Sequence, residues 1–108
     1  MFNYKLYTID YKFIGEDNFV SNNFTGIVES FDGSKYWYFE GKPHRDDGPA
    51  CEWNDGSRAW CINGKQHRID GPAIDWHDGT KEWYVDGKRV TELQCKLLCD
   101  IMKLKGLL

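Results

Sequence analysis

The sequence predicts a mainly β protein, an antiparallel β-meander of hairpin repeats with a C-terminal capping α-helix. Three observations carry that expectation. Residues 32–54, "DGSKYWYFEGKPHRDDGPACEWN", and residues 55–77, "DGSRAWCINGKQHRIDGPAIDWH", agree at 13 of 23 positions without a gap, and a third copy opens with "DGTKEWYVDGK" at Asp78. Inside each copy, short segments alternate with the period of two that sends successive side chains to opposite faces of a strand. After the third copy breaks off, leucines recur at helical spacing. Fixed-period self-similarity implies one supersecondary unit stacked on its neighbours.

Residues 1–108 are read as one domain. Residues 1–31 form a degenerate first unit, as expected of a repeat that caps a stack. There, "YKLYTIDYKFI" (4–14) reads as one strand with Tyr7, Ile9, Tyr11 and Phe13 on one side, 15–23 as a loop and 24–33 as the return. Units 32–54, 55–77 and 78–90 each begin with a strand, at 35–40, 58–63 and 81–86. Trp37, Trp60 and Trp83 share one face of these strands, and Tyr36, Tyr38 and Tyr84 the other. A second strand, 49–54 or 72–77, places Cys51 with Trp53 and Ile74 with Trp76, and Pro49 and Pro72 open it where a missing N–H is tolerated. "NDGS" and "HDGT" are tight turns whose glycine accepts positive φ. "EGKPHRDDG" and "NGKQHRIDG" read as longer loops, and 4–14 and 81–86 as the sheet edges.

The helix spans 91–105. Thr91 and Gln94 fit a capping box, and Leu93, Leu97, Ile101, Leu104 and Leu108 make one stripe that Cys95, Leu98, Cys99 and Met102 widen. Two readings stay open. The helix covers the sheet, or one side covers it while the Leu98 and Met102 side meets a partner, including a second copy in a homodimer.

Composition bounds the function. Hydrophobic residues are 41% and aromatic residues 16%, enough for a packed core. Residues 1–54 hold five Lys/Arg and nine Asp/Glu, net −4, and residues 55–108 hold nine and eight, net +1. Neither half is a basic polyanion surface, so nucleic acid is disfavoured. "MFNYKLYTIDYKF" is not read as a signal peptide, and no apolar run approaches a membrane span. Four cysteines in such a chain are expected to be reduced packing thiols in a cytoplasm. Cys51 and Cys61 are expected on opposite faces of neighbouring strands.

His44-Arg45-Asp46-Asp47 and His67-Arg68-Ile69-Asp70 invite an acid–base reading. They occur twice in equivalent places, whereas a catalytic centre needs one asymmetric constellation. His44 and His67 are therefore read as loop-fixing residues bonded to neighbouring backbone or to Asp47 and Asp70. Gly48 and Gly71 are read as turn residues, and Trp37, Trp53, Trp60, Trp76 and Trp83 as core. No catalytic, cofactor or metal set is assigned, because His44, His67 and His77 lie at repeat spacing without a short-range Cys/His pair. The basic rows Lys35/Arg58/Lys81 and Lys42/Lys65/Lys88 are offset by Asp32/Asp55/Asp78 and Asp47/Asp70, which points to turn ion pairs on a solvated face.

The pattern "DG(S/T)K…W…NGK…H" at a 23-residue period resembles the MORN repeat, in the variant carrying "H-R-x-D-G-P-A". The resemblance covers 32–90, and 4–90 in degenerate form. Gly48-Pro49 and Gly71-Pro72 depart from the Gly-x-Gly of ordinary units. The resemblance implies antiparallel hairpin sheets and a protein-binding role, as in small proteins of bacteriophages and giant viruses that end in a short helix. It also extends to bacterial antitoxin or immunity proteins. On that basis the expected function is non-enzymatic: a small bacteriophage accessory protein in the host cytoplasm, binding and inhibiting a host defence or takeover protein. The alternatives are an antitoxin or immunity protein, and a nucleotide or nucleic-acid binder using an aromatic groove.

Where the repeat breaks, the candidate partner-binding residues are Tyr36, Tyr38, Tyr84, Phe19, Leu98 and Met102. Aromatic residues are enriched at interface hot spots. Cross-strand packing accounts for the tyrosines equally well.

Overall fold

The structure, a computed structural model, describes residues 4–17 and 20–107. Phe19 and Leu108 lie outside them. In chain order the strands are β1 (Tyr4–Tyr7), β2 (Phe13–Asp17), β3 (Gly26–Ser30), β4 (Lys35–Phe39), β5 (Lys42–Pro43), β6 (Cys51–Glu52), β7 (Arg58–Ala59), β8 (Cys61–Ile62), β9 (Lys65–Gln66), β10 (Ile74–Asp75), β11 (Lys81–Val85) and β12 (Lys88–Val90), followed by α1 (Glu92–Leu104). Ten strands form one antiparallel sheet whose path runs β12, β11, β10, β7, β6, β4, β3, β1, β2, with β5 beside β4, and β8 and β9 make a small ladder of their own. The predicted β-meander with a C-terminal helix is what the chain forms. Its radius of gyration is 15.3 Å and its extents 49 × 31 × 20 Å, longer than the ~13 Å radius of a compact chain of this size. A stack growing in one direction has that shape.

Each unit contains two hairpins. At residues 53–57, Gly56 N–H donates to Trp53 O and Trp53 N–H to Ser57 O, with Gly56 at φ 92°. This is a turn closed by a left-handed glycine. The second hairpin occupies what reads from sequence as a long loop. Glu40 and Gly41 (φ 49° and 80°), Asn63 and Gly64 (50° and 82°), and Asp86 and Gly87 (52° and 81°) are left-handed in pairs. Two successive positive φ values make the turn that matches strand twist, for which Asn-Gly and Asp-Gly are favoured. The chain then folds back on itself, as when Cys61 pairs with Gln66. The expected strand 58–63 therefore splits: Arg58 and Ala59 pair with β6 of the preceding unit and β10 of their own, and Cys61 and Ile62 pair with the return strand β9.

The unit at 4–14 is also a hairpin rather than one strand. Thr8 N–H donates to Lys12 O and Tyr11 N–H to Thr8 O, with Tyr11 at φ 66°, so the chain reverses. The sheet edges are accordingly β2 and β12, and β1 lies inside. Cys51 pairs with Ala59, two residues before Cys61, so both thiols share a face, contrary to the sequence expectation. A hydrogen bond between them, then burial, push the Cys51 thiol far above its ordinary value. All four cysteines are free thiols.

The capping box forms as read: Gln94 N–H donates to Thr91 Oγ1, and Thr91 N–H to the Gln94 side chain. The helix ends where Leu107 N–H reaches Met102 O and left-handed Gly106 reaches Lys103 O, a paired closure of the last turn. The buried side is Cys95 and Cys99, not the leucine stripe. Cys95 Sγ lies 3.4 Å from Arg68 O, 3.3 Å from Ile69 O and 3.9 Å from Gly71 O. A small thiol lets the helix approach that backbone, where a leucine would hold it off. Leu93, Leu97, Ile101 and Leu104 are left exposed.

Candidate protein-binding groove

The side chains that recur in the repeat are engaged within and between its units. His44 Nδ1 accepts Asn63 N–H at 3.0 Å, and His67 Nδ1 accepts Asp86 N–H at 2.9 Å. Arg45 lies over the Trp37 ring at 4.0 Å, and Arg68 over Trp60 at 3.8 Å, contacts of roughly 0.5–2 kcal/mol depending on desolvation. Arg45 Nε donates to Asp47 at 3.0 Å and Nη1 to Pro49 O at 3.1 Å; Arg68 repeats this with Asp70 and Pro72 O. A Cβ on Gly48 would sit 2.9 Å from Arg45 Cζ, and one on Gly71 2.8 Å from Arg68 Cζ. The motif H-R-x-D-G-P is thus one clamp. His holds the next unit's turn, and Arg is fixed between a ring, a carboxylate and a carbonyl that a glycine leaves accessible.

The acidic row Asp32, Asp55 and Asp78 does not pair with the lysines. Asp55 accepts Ser57 N–H at 2.8 Å, and Asp32 and Asp78 accept Ser34 and Thr80 N–H at 2.9 Å. Backbone bonding holds Asp55 and Asp78 below the usual carboxylate range, and at Asp32 the Ser30 hydroxyl contributes first. Ser34 and Ser57 are buried and accept Asn54 and His77 N–H at 3.0 Å. His77 approaches Asp55 at 3.9 Å.

Trp53 and Trp76 stack at 6.0 Å and 9°. Tyr36 pairs with Cys51, so the tyrosine face also carries these two rings. Tyr36, Tyr38 and Tyr84 are half-buried, and burial raises all three hydroxyls. Trp76 Nε1 and Tyr84 OH both donate to Glu82, at 2.6 and 3.1 Å. Trp83 shares a cleft with Cys95, Lys96 and Cys99 of α1. Leu98 and Met102 are half-buried beside the two buried thiols.

What the repeat does not consume is a groove at its N-terminal end. The turn at residues 8–12 sends Tyr11 edge-on to Trp37, with centroids 6.4 Å apart at 78°. Phe39, at the end of β4, lies 5.8 Å from the His44 ring. With Ile9 and Asp46 these side chains line a cleft of about 580 Å³. Ile9 is 66%, Tyr11 57% and Phe39 48% exposed. At the mouth Asp46, 3.2 Å from His44 Nε2, keeps its side chain 83% exposed, while Asp47 is paired with Arg45 at 3.0 Å. A larger cleft of about 810 Å³ beside Trp60 is lined by Arg45, Arg68, Asp47 and Asp70, whose charges are already paired with one another.

Ile9, Tyr11 and Phe39 were not singled out by sequence as partner-binding residues. "TIDYK" holds no glycine, proline or asparagine to mark the turn that presents Tyr11. Among the described residues no three His, Cys, Asp or Glu side chains converge as a metal-holding group, and no helix is long and apolar enough to cross a membrane. No protein-family model, curated protein or solved structure matches the chain.

Proposed function

We propose that the protein is a non-enzymatic binding module. Its groove of Ile9, Tyr11, Trp37 and Phe39 takes an apolar side chain from a segment of another protein, with a basic residue of that segment beside Asp46. The observation that carries this reading is the contrast within the molecule. The His side chains of the repeated motifs hold the next unit and the Arg side chains are engaged within their own, whereas the aromatic groove is open, with exposed Asp46 at its rim. A rigid strand framework costs little ordering on binding, which favours such a role. The resemblance to variant repeats of bacteriophage proteins supports placing the partner among bacterial host proteins, bound stoichiometrically and occluded.

The test is capture from bacterial lysate at low and high salt, with the unmodified protein beside Phe39→Asp. A stoichiometric protein retained at high salt and lost with the variant supports the reading. Nucleic acid recovered at low salt and shed at high salt would replace it with polyanion binding. Capture insensitive to Phe39→Asp would remove the groove from the account.

A further inference from the structure

The exposed side of α1 is patterned, not merely apolar. Leu93, Leu97, Asp100 and Leu104 follow one another at steps of four, three and four residues, which is the spacing of a two-helix seam. Leu93 is 66%, Leu97 53% and Leu104 89% exposed. The opposite side, centred on Cys95 and Cys99, is fastened to the loop after Arg68, so the helix cannot roll to bury the leucines without losing that contact. Its first turn is held by the capping box and its last by the paired closure at Gly106. The stripe is therefore presented on a helix capped at both ends and held to the repeat through Cys95.

We propose that two copies of this chain pair antiparallel through the Leu93, Leu97 and Leu104 seam of α1. The choice of a second copy comes from the charges along one flank. Glu92, Lys96 and Lys103 line that flank, with Asp100 in the seam on the same side as Lys96, and within one chain Lys96 already reaches Glu92 at 3.1 Å. When Leu93 of one copy faces Leu104 of the other, Leu97 faces Asp100. Each acid then falls beside a base of the second copy: Glu92 beside Lys103, and Asp100 beside Lys96. At a rise of about 1.5 Å per residue these neighbours are offset by only about one or two residues along the axis. In a parallel in-register pair the seam would instead set Asp100 on Asp100, and this flank would face the other flank of the second copy, Gln94, Ile101 and Lys105, where Lys96 and Lys103 find no acid. The charges are thus complementary in the antiparallel pair, whose two-fold axis runs across the helices and brings the same flank of both copies together. Asp100 in the seam then disfavours parallel registers in the way a single polar core residue specifies orientation.

The inference is independent of the groove, which belongs to the first unit. It is tested by sedimentation over a concentration series. The unmodified protein should run as a dimer whose melting temperature rises with concentration. Leu97→Glu should be monomeric, with association weakened by at least about tenfold, an effect of ~1.4 kcal/mol or more. Its circular dichroism should be unchanged, because the replaced side chain is exposed. Lys96→Glu and Asp100→Lys should each be monomeric alone and dimeric when mixed, since the mixture restores both cross-pairs. A monomer at several hundred micromolar, a dimer indifferent to Leu97→Glu, or no recovery on mixing overturns the proposal. Phe39→Asp should leave the dimer intact, so loss of the groove reading would not be mistaken for loss of this one.

Discussion

His44 Nδ1 accepts the backbone N–H of Asn63 at 3.0 Å, so a side chain of one unit holds the hairpin turn of the next. His67 and Asp86 repeat the contact at 2.9 Å. Around it, Gly64 N–H reaches Pro43 O and Arg45 N–H reaches Cys61 O, and both bonds recur between the following units as Gly87 to Gln66 and Arg68 to Tyr84. Cohesion in this protein is therefore a nearest-neighbour property, as in other stacked repeats.

Replacing either histidine by alanine should then cost a similar amount, about 1–2 kcal/mol, the penalty for leaving a backbone donor without its partner. Urea unfolding of His44→Ala and His67→Ala measures it. Equal losses of stability fit the clamp. A stable variant that loses only function, at one histidine and not the other, would contradict it.

Gly71 and Arg68 should be coupled. Gly71→Ala places a methyl 2.8 Å from Arg68 Cζ and displaces the guanidinium from Trp60, Asp70 and Pro72 O. We expect a loss of roughly 1 kcal/mol that largely disappears in an Arg68→Ala background, giving a coupling within the ~0.5–3 kcal/mol range of touching residues. A double-mutant cycle by denaturation decides it; additivity would show that the glycine serves its own backbone alone.

Gly41 and Gly64 are repeat equivalents with the same left-handed φ, yet they should respond differently to alanine. A Cβ at Gly64 meets only the Lys42 side chain at 3.5 Å, whereas at Gly41 it would lie 1.7 Å from Asn22 O. Gly64→Ala should cost the ~1–2 kcal/mol of a left-handed residue, and Gly41→Ala substantially more, because backbone must move. Thermal unfolding of the two variants compares them, and equal melting temperatures would refute the close approach.

Acid should loosen the turns. Backbone donors hold Asp55 and Asp78 below the usual carboxylate range, and Arg45 does the same for Asp47. A depressed folded value means the contribution is present above the unfolded value and fades as pH falls through the folded one. Stability against urea should therefore be flat near neutrality and decline below about pH 4. Asp55→Asn should shallow that decline; an unchanged slope would place the acid sensitivity elsewhere.

The groove and the helix face divide sequence from tertiary structure. The 23-residue period, the left-handed glycines after aspartate, the capping box at Thr91 and the mainly β class are properties of short stretches of chain, and they are legible one stretch at a time. The return strands after Asn63 and Asp86 were legible too, since Asn-Gly and Asp-Gly between alternating segments are hairpin signals; reading them as loops let the length between glycines outweigh the turn chemistry. Other features depend on pairing between distant segments. Alternation through 4–14 looks like one strand because only Asp10 in "TIDYK" marks a reversal, and it is the bonding of Thr8 with Asp10, Tyr11 and Lys12 that turns the chain and brings Tyr11 to Trp37. Register alone places Cys51 and Cys61 on one face. The helix shows the physical reason most directly. Hydrophobicity by itself favours burying the leucines, but the surface offered is a row of carbonyl oxygens at Arg68, Ile69 and Gly71, which a thiol can approach and a leucine cannot. Sequence determined that an amphipathic helix would form; the shape and polarity of its docking site decided which side it hides.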